Sequence, residues 1–288
     1  MDARSRPTPN GRWSTRSACS TAGTRLALLV DQIGDTAGGA DWPAPVRATG
    51  EFLRAARDLP DVYQPDRDTN TERPAIVWVH GGSFSGGDKT SDEIVIEATE
   101  MAKKGYVSVS INYRLYGPGC SAVGGNVAGC VQAMIDAQHD AQAAVRFLRQ
   151  NATNYRIDTE RMAIGGTSAG AITALHVGAN ADDPGISGNP GFSSAVQAAV
   201  SLSGARLLGP PQSTGDAPSL MFHGTADAVV PYQWAVNTLD EAHAAGLVSY
   251  LTSYPGEGHL LFDQHDEQIM AQTTNFLYWL LELPNASG

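Results

Sequence analysis

From residue 61 onward, the apolar positions fall into two alternating spacings. Residues 75–80 (AIVWVH) form a continuous, β-branched apolar run, the pattern of a strand buried on both faces. Residues 106–112 (YVSVSIN), 161–165 (RMAIG), 198–203 (AAVSLS), 219–223 (SLMFH) and 248–254 read as further strands. Between them the apolar period lengthens to that of a helix. Residues 93–104 place Ile94, Ala98, Met101 and Ala102 on one face, and residues 136–151 do the same with Ala137, Ala141, Ala144, Val145 and Leu148. Residues 169–178, 232–245 and 267–283 read as three more helices, and Gly246 follows the second of these as a left-handed cap. Alternation of this kind predicts an α/β fold with a mostly parallel sheet covered on both faces. Residues 180–194 form a long polar loop containing Gly and Pro.

The first 60 residues do not share the pattern. They carry scattered arginines (Arg4, Arg6, Arg12, Arg16, Arg25) and one short apolar run, 26–30, which Asp31 and Gly34 cut short. That is a poor match to a secretory signal, which needs 7–15 apolar residues and a small-residue cleavage site. The expected organisation is a poorly defined leader over 1–60 and one domain over 61–288.

Composition narrows the function classes. Hydrophobic residues make up 42% of the 288 and charged residues 17%, enough to build a large core. No run reaches the roughly 18 apolar residues of a membrane-spanning helix. A net charge of -11 argues against nucleic acid as a partner, since phosphate recognition needs clustered cations. Lys89, Lys103 and Lys104 are the only lysines, which reads as the coding bias of a GC-rich genome.

The sharpest chemical signal is Gly166-Thr167-Ser168-Ala169-Gly170, between a predicted strand and a predicted helix. A turn that tight requires glycine two residues before and after the serine, and it projects the Ser168 hydroxyl from a helix N-terminus. A serine nucleophile needs a base oriented by a third group. Asp227, in HGTAD, and His259, in GEGH, each follow a strand, and the order Ser168, Asp227, His259 is that of a strand-end triad. Glu257 is a weaker candidate for the acid, being only two residues from His259. Directly after the first strong strand, His80-Gly81-Gly82-Ser83-Phe84 offers backbone donors for an oxyanion: Gly82 and Ser83, with the Ala169 amide completing the hole. His80 is read as a loop organiser and not as a base.

These motifs resemble the α/β-hydrolase family, in its carboxylesterase and lipase-like branch with an HGG-type oxyanion loop. The resemblance spans residues 61–288, from DVYQP through HGGSF, GTSAG, HGTAD and GEGH in family order. It implies an α/β-hydrolase fold with a mostly parallel eight-stranded sheet flanked by helices, and cofactor-free hydrolysis of a small-molecule or polymer-attached ester. Ser83 departs from the glycine often third in the oxyanion loop. The early antiparallel strands are hard to find before residue 61.

The connection between the strands near Ser203 and Ser219 is too short for a large cap domain. An open site is expected, walled by the loops 116–130 and 180–194, with Phe84, Tyr116 and Trp234 as pocket residues. Such a site suits short-chain, aromatic or polymer-attached acyl groups, with feruloyl, acetyl-xylan or polyester hydrolysis as subsets. A peptidase or amidase using the same triad, and a catalytically inactive binding module, are the other readings. Cys120 and Cys130 bracket a Gly-rich loop at a spacing that fits no zinc signature. A disulfide there would be worth roughly 3 kcal/mol by loop-closure entropy and would favour a secreted protein; two free thiols are the alternative. His139, His176, His243 and His265 lack metal-ligand spacing, so no metal is expected. Asp140 either braces the nucleophile region or is a helix-surface charge. Oligomeric state is not legible.

Overall fold

The computed structural model describes residues 60–65, 68–120, 127–181, 183, 185 and 187–281. The expected leader therefore lies outside the described residues, apart from Pro60. Among the described residues, seven strands form one sheet: β1 (Asp61–Tyr63), β2 (Arg73–Val79), β3 (Val107–Ile111), β4 (Ile157–Thr167), β5 (Ala198–Leu202), β6 (Ser219–Gly224) and β7 (Tyr250–Tyr254). Their spatial order is β1-β3-β2-β4-β5-β6-β7. β1 pairs antiparallel with β3 and every other pair is parallel. The mostly parallel sheet is as expected; the described residues give it seven strands where eight were expected.

The helices among the described residues are α1 (Asp92–Lys103), α2 (Val127–Gln150), the short α3 (Ala152–Tyr155), α4 (Ala169–Ala179), α5 (Tyr232–Ala244) and α6 (Phe262–Leu280). β2 shows why two layers of helix are needed. Ala75, Val77 and Val79 face one apolar cluster with Ala137, Val145 and Leu148 of α2 and Leu175 of α4. Ile76 and Trp78 face the other, with Ile94 and Met101 of α1 and Ile269 and Leu277 of α6. Each face of the period-two strand is thus covered by the apolar stripe of a period-3.6 helix.

Three boundaries differ from the sequence expectation. α2 starts at Val127 instead of residue 136, so Cys130 lies on its first turns and not at the end of a loop. α6 starts at Phe262, and β4 runs back to Ile157. α6 gains the buried Phe262 and β4 the buried Ile157, whereas the added first turn of α2 is exposed at Val127. Gly246 caps α5 as expected, with φ 78° and its N–H bonded to the His243 carbonyl. Residues 203–218, between β5 and β6, contain neither helix nor strand, so no cap domain is inserted there.

Candidate active site

The strand-to-helix turn between β4 and α4 is as tight as its glycines suggest. Ser168 sits at φ 54°, ψ -117°, a conformation that costs a non-glycine residue about 1–3 kcal/mol and persists only where its surroundings enforce it. A Cβ at Gly170 would lie 1.9 Å from the Val79 carbonyl oxygen, and one at Gly166 would lie 2.4 Å from the same atom. Both glycines are therefore required by the close approach of β2. The Ser168 N–H donates to the Leu202 carbonyl at 2.8 Å, fixing the turn to β5 as well.

Two loops at the carboxyl ends of β6 and β7 meet beside this turn. A Cβ at Gly224 would fall 2.2 Å from the Gly258 carbonyl oxygen, so the loops bearing Asp227 and His259 touch through backbone. The Ala226 N–H donates to the Glu257 carbonyl, the Gly256 N–H to the Thr225 hydroxyl, and the Ser203 hydroxyl to the His259 carbonyl at 2.7 Å. The outcome is a linear relay. His259 Nε2 lies 2.8 Å from Ser168 Oγ, and His259 Nδ1 lies 2.7 Å from Asp227 Oδ2.

Asp227 is fully enclosed. Burial alone would raise its pKa. The ring nitrogens of His223 and His259 and the N–H groups of Val229 and Val230 outweigh that and hold the carboxyl well below the usual carboxylate range. His223 Nε2, 3.1 Å from Asp227 Oδ2 and 2.8 Å from the Val230 carbonyl, is a second imidazole on the same carboxylate oxygen that His259 holds. With Asp227 ionised, the His259 Nδ1–H donates to it and Nε2 is free to accept from the serine hydroxyl. Glu257 does not take the acid's place: its carboxylate faces His265 at 3.8 Å.

The loop after β2 lies against the turn. A Cβ at Gly81 would be 3.3 Å from Ser168 Cβ, and one at Gly82 (φ 112°) would strike the Gly86 carbonyl. Ser83 and Phe84 follow with φ 53° and 58°, which explains physically why glycine suits the Ser83 position. His80 is buried and its pKa is lowered by desolvation. It hydrogen-bonds the Gly81 carbonyl at 2.7 Å and stacks on Tyr113, which makes it an organiser of the loop. The Ala169 amide, in the first turn of α4, has no carbonyl partner within the helix and points to the positive helix end.

A cavity of about 220 Å³ opens at Ser168. Ser83, Phe84, Ala169 and Trp234 line it as the sequence suggests, and so do Cys120 and Cys130, which are joined in a disulfide. The remaining wall is apolar: Val127, Val131 and Met134 from α2, Ile172 from α4, and Leu207, Val229 and Val230. Sequence reading missed these. Val127, Val131 and Met134 sit at i, i+4, i+7, a helical signal hidden by the glycines before it.

The expected loop 116–130 contributes Cys120, Val127 and Cys130 to the wall, whereas Tyr116 and the described residues of 180–194 do not line the cavity. Gly82 adjoins the cavity without lining it. The Tyr116 ring packs half-buried against the core, and its backbone N–H donates to the Phe84 carbonyl. Within 180–194, Arg146 of α2 donates to the Ser187 and Gly188 carbonyls, Arg149 donates to the Ser193 carbonyl, and Asn189 donates to the Ala143 carbonyl of α2. Asp140 takes the helix-surface role and not that of a brace for the nucleophile: it binds Arg114 and Ser187.

Other groups near the site were not anticipated. Glu93 is hydrogen-bonded to Thr167, next to the nucleophile. Burial first, and then the charge of Asp263, push it up to about 7 against the lowering contacts of Thr167 and His259. Among the described residues, no group of three or more His, Cys, Asp or Glu side chains could hold a metal, and no helix is long and apolar enough to cross a membrane.

Comparison with known proteins agrees with this architecture. The family model described as BD-FAE matches residues 60–208, just over half of the chain, and one described as TAP-like protein matches 194–280. Esterase LipQ of Mycobacterium tuberculosis is 28% identical over 231 residues, covering 67% of this chain and 50% of that protein. Lipase 1 of Geotrichum candidum is 32% identical over 126 residues, covering 40% of this chain and 21% of the lipase. The chain thus spans half or less of the length of these curated relatives. Among solved structures, the thermophilic esterase Est2 of Thermogutta terrifontis, with propionate bound, superposes with a TM-score of 0.67 at 21% identity, covering 80% of this chain and 91% of that one. That likeness is one of fold.

Proposed function

The chain belongs to the BD-FAE family of α/β-hydrolases, and from that premise we propose that it is a serine carboxylic ester hydrolase with Ser168, His259 and Asp227 as its triad. One observation carries the reading. The hydroxyl, imidazole and carboxylate stand in hydrogen-bonding line at 2.8 and 2.7 Å, with the hydroxyl at the mouth of an apolar cavity.

The chemistry follows from the geometry. His259 Nε2 takes the Ser168 proton as Oγ attacks the ester carbonyl, and the Asp227 carboxylate stabilises the imidazolium that forms. The carbonyl oxygen becomes an oxyanion, met by the Ala169 amide and by the Ser83 and Gly82 amides of the loop after β2. His259 then protonates the leaving alcohol, which departs and leaves an acyl-serine. Water attacks that acyl-enzyme by the same proton route in reverse, with no cofactor in any step.

The cavity supports a short or aromatic acyl group. A closed apolar cavity of about 150 Å³ holds one benzene; this one, at about 220 Å³, takes one ring with a short tail or a short alkyl chain. Val127, Val229 and Leu260 are exposed at 76, 46 and 78%, leaving the site accessible to an ester carried on a polymer. A panel of p-nitrophenyl esters of rising acyl length, feruloyl esters, acetylated xylan and an aliphatic polyester ranks these substrates. A rate that climbs steeply through long acyl chains at an oil interface would reject this pocket assignment.

Ser168→Ala tests the main reading. Turnover of p-nitrophenyl acetate should fall at least about 1,000-fold, with the circular dichroism spectrum unchanged. Turnover near the wild-type rate would overturn the assignment.

A further inference from the structure

The disulfide that lines the acyl cavity is also wired to the loop after β2. The Cys120 N–H donates to the Ser83 carbonyl at 2.9 Å, and the Tyr116 N–H donates to the Phe84 carbonyl at 2.6 Å. Gly119 lies over the same loop, its Cβ position 3.0 Å from Ser85 Oγ. Ser83 and Phe84 are consecutive residues in the left-handed region, and such a pair relaxes unless its neighbours hold it. The segment 116–120 is one of those neighbours.

That segment is anchored in turn. Cys120 is bonded to Cys130 on the first turns of α2, with the two Cα atoms 5.3 Å apart. α2 packs along its apolar face on α4, whose N-terminal end carries Ser168. One mechanical path therefore runs from the Ser83 carbonyl, on the same residue as the donor N–H, through Cys120, the disulfide and α2 to the helix behind Ser168.

We propose that Cys120 and Cys130 are positioning residues for catalysis: their disulfide holds the Ser83 amide in register with Ser168, so that the oxyanion donors are aligned before substrate arrives. This rests on the ester-hydrolase reading of the site. An oxyanion contact is made only in the transition state, so misalignment lowers kcat and leaves KM almost unchanged. A disulfide that merely stabilised the fold would change the melting temperature and leave both constants alone well below it.

The test compares the full chain with a Cys120→Ser/Cys130→Ser double variant, and with native protein reduced by a phosphine and assayed in the reductant. p-Nitrophenyl acetate is the substrate, because an acetyl group is too small to lean on the disulfide wall of the cavity. Assays run at least 20 °C below each form's own melting temperature. The expected result is kcat lowered at least fivefold with KM within twofold, and an inhibition constant for a trifluoromethyl ketone, whose serine adduct carries the oxyanion, raised at least fivefold. Reoxidation of the reduced protein should restore both. A kcat within fivefold of the native value, or a loss confined to KM, would overturn the proposal. If the double variant does not fold, the reduced native protein decides by the same criteria. Ser168→Ala run alongside separates the two readings. Inactivity there, with an unimpaired disulfide-free enzyme, rejects only this inference; an active Ser168→Ala variant rejects the hydrolase assignment beneath it.

Discussion

Asp227 has no exposed side-chain surface, yet it stays charged because four donors converge on it: two imidazoles and two backbone N–H groups. Replacing it with Asn keeps the shape and reverses part of the hydrogen-bond pattern, so His259 loses the acceptor that fixes its Nδ1 proton. Asp227→Asn should therefore lower kcat by about 1,000- to 10,000-fold while KM changes little, a split that steady-state kinetics on a chromogenic ester reads directly. At this scale much was legible. The proposed triad, the placing of the HGGSF loop against the Ser168 turn and the packing of His80 in that loop all follow from residue types at strand ends. His223 was not legible, because nothing in its spacing tells a strand-end histidine that clasps a carboxylate from one that faces solvent. Tyr116 misled for a similar reason: sequence position puts it in the right loop, and its ring packs against the core instead of lining the cavity.

At the level of elements, the turn between β4 and α4 works because β2 passes closer to α4 than a side chain allows. Gly170→Ala would drive a methyl group into the Val79 carbonyl, a backbone atom that moves only with its strand. The expected cost is about 3 kcal/mol or more, lowering the melting temperature by roughly 6 °C or more in a domain of this size. Gly117→Ala is the control, since a Cβ there meets nothing within 4 Å, and calorimetry on both variants measures the difference. The helices and buried strands were readable from periodicity, which depends only on residues a few positions apart. Their ends were less so. α2 begins nine residues before its clear apolar face, in turns where Cys130 is tied to Cys120 and where Val127, Val131 and Met134 face the cavity.

Across the whole molecule, the buried ionisable groups set opposing pH slopes. His176 is fully buried and accepts the Leu207 and Leu208 N–H groups on Nε2; burial, then the nearby Arg206 charge, push its pKa down to about 3. Unfolding returns it to about 6.5, so the unfolded chain binds an extra proton between those values. Its contribution is complete above pH 6.5 and is lost as pH falls toward 3. Glu97 behaves oppositely: burial, then the neighbouring Glu93, hold its carboxyl well above the ordinary range, so stability falls as pH rises above about 4.5. Each slope is at most about 1.4 kcal/mol per pH unit. Urea denaturation should show His176→Gln losing less stability than wild type between pH 6.5 and 4, and Glu97→Gln losing less between pH 5 and 8. Slopes identical to wild type would contradict the protonation states assigned to these groups.

The strand–helix alternation, the glycines of the tight turn and the order of Ser168, Asp227 and His259 were determined by the sequence alone, since period and steric exclusion act between near neighbours on the chain. The tertiary structure decided the rest: the apolar wall drawn from α2 and α4, the clasp of His223 on Asp227, the enclosure of Glu97 and His176, and the path from the disulfide to the loop after β2. Those are contacts between segments far apart in the chain. No local pattern encodes a distance across a sheet.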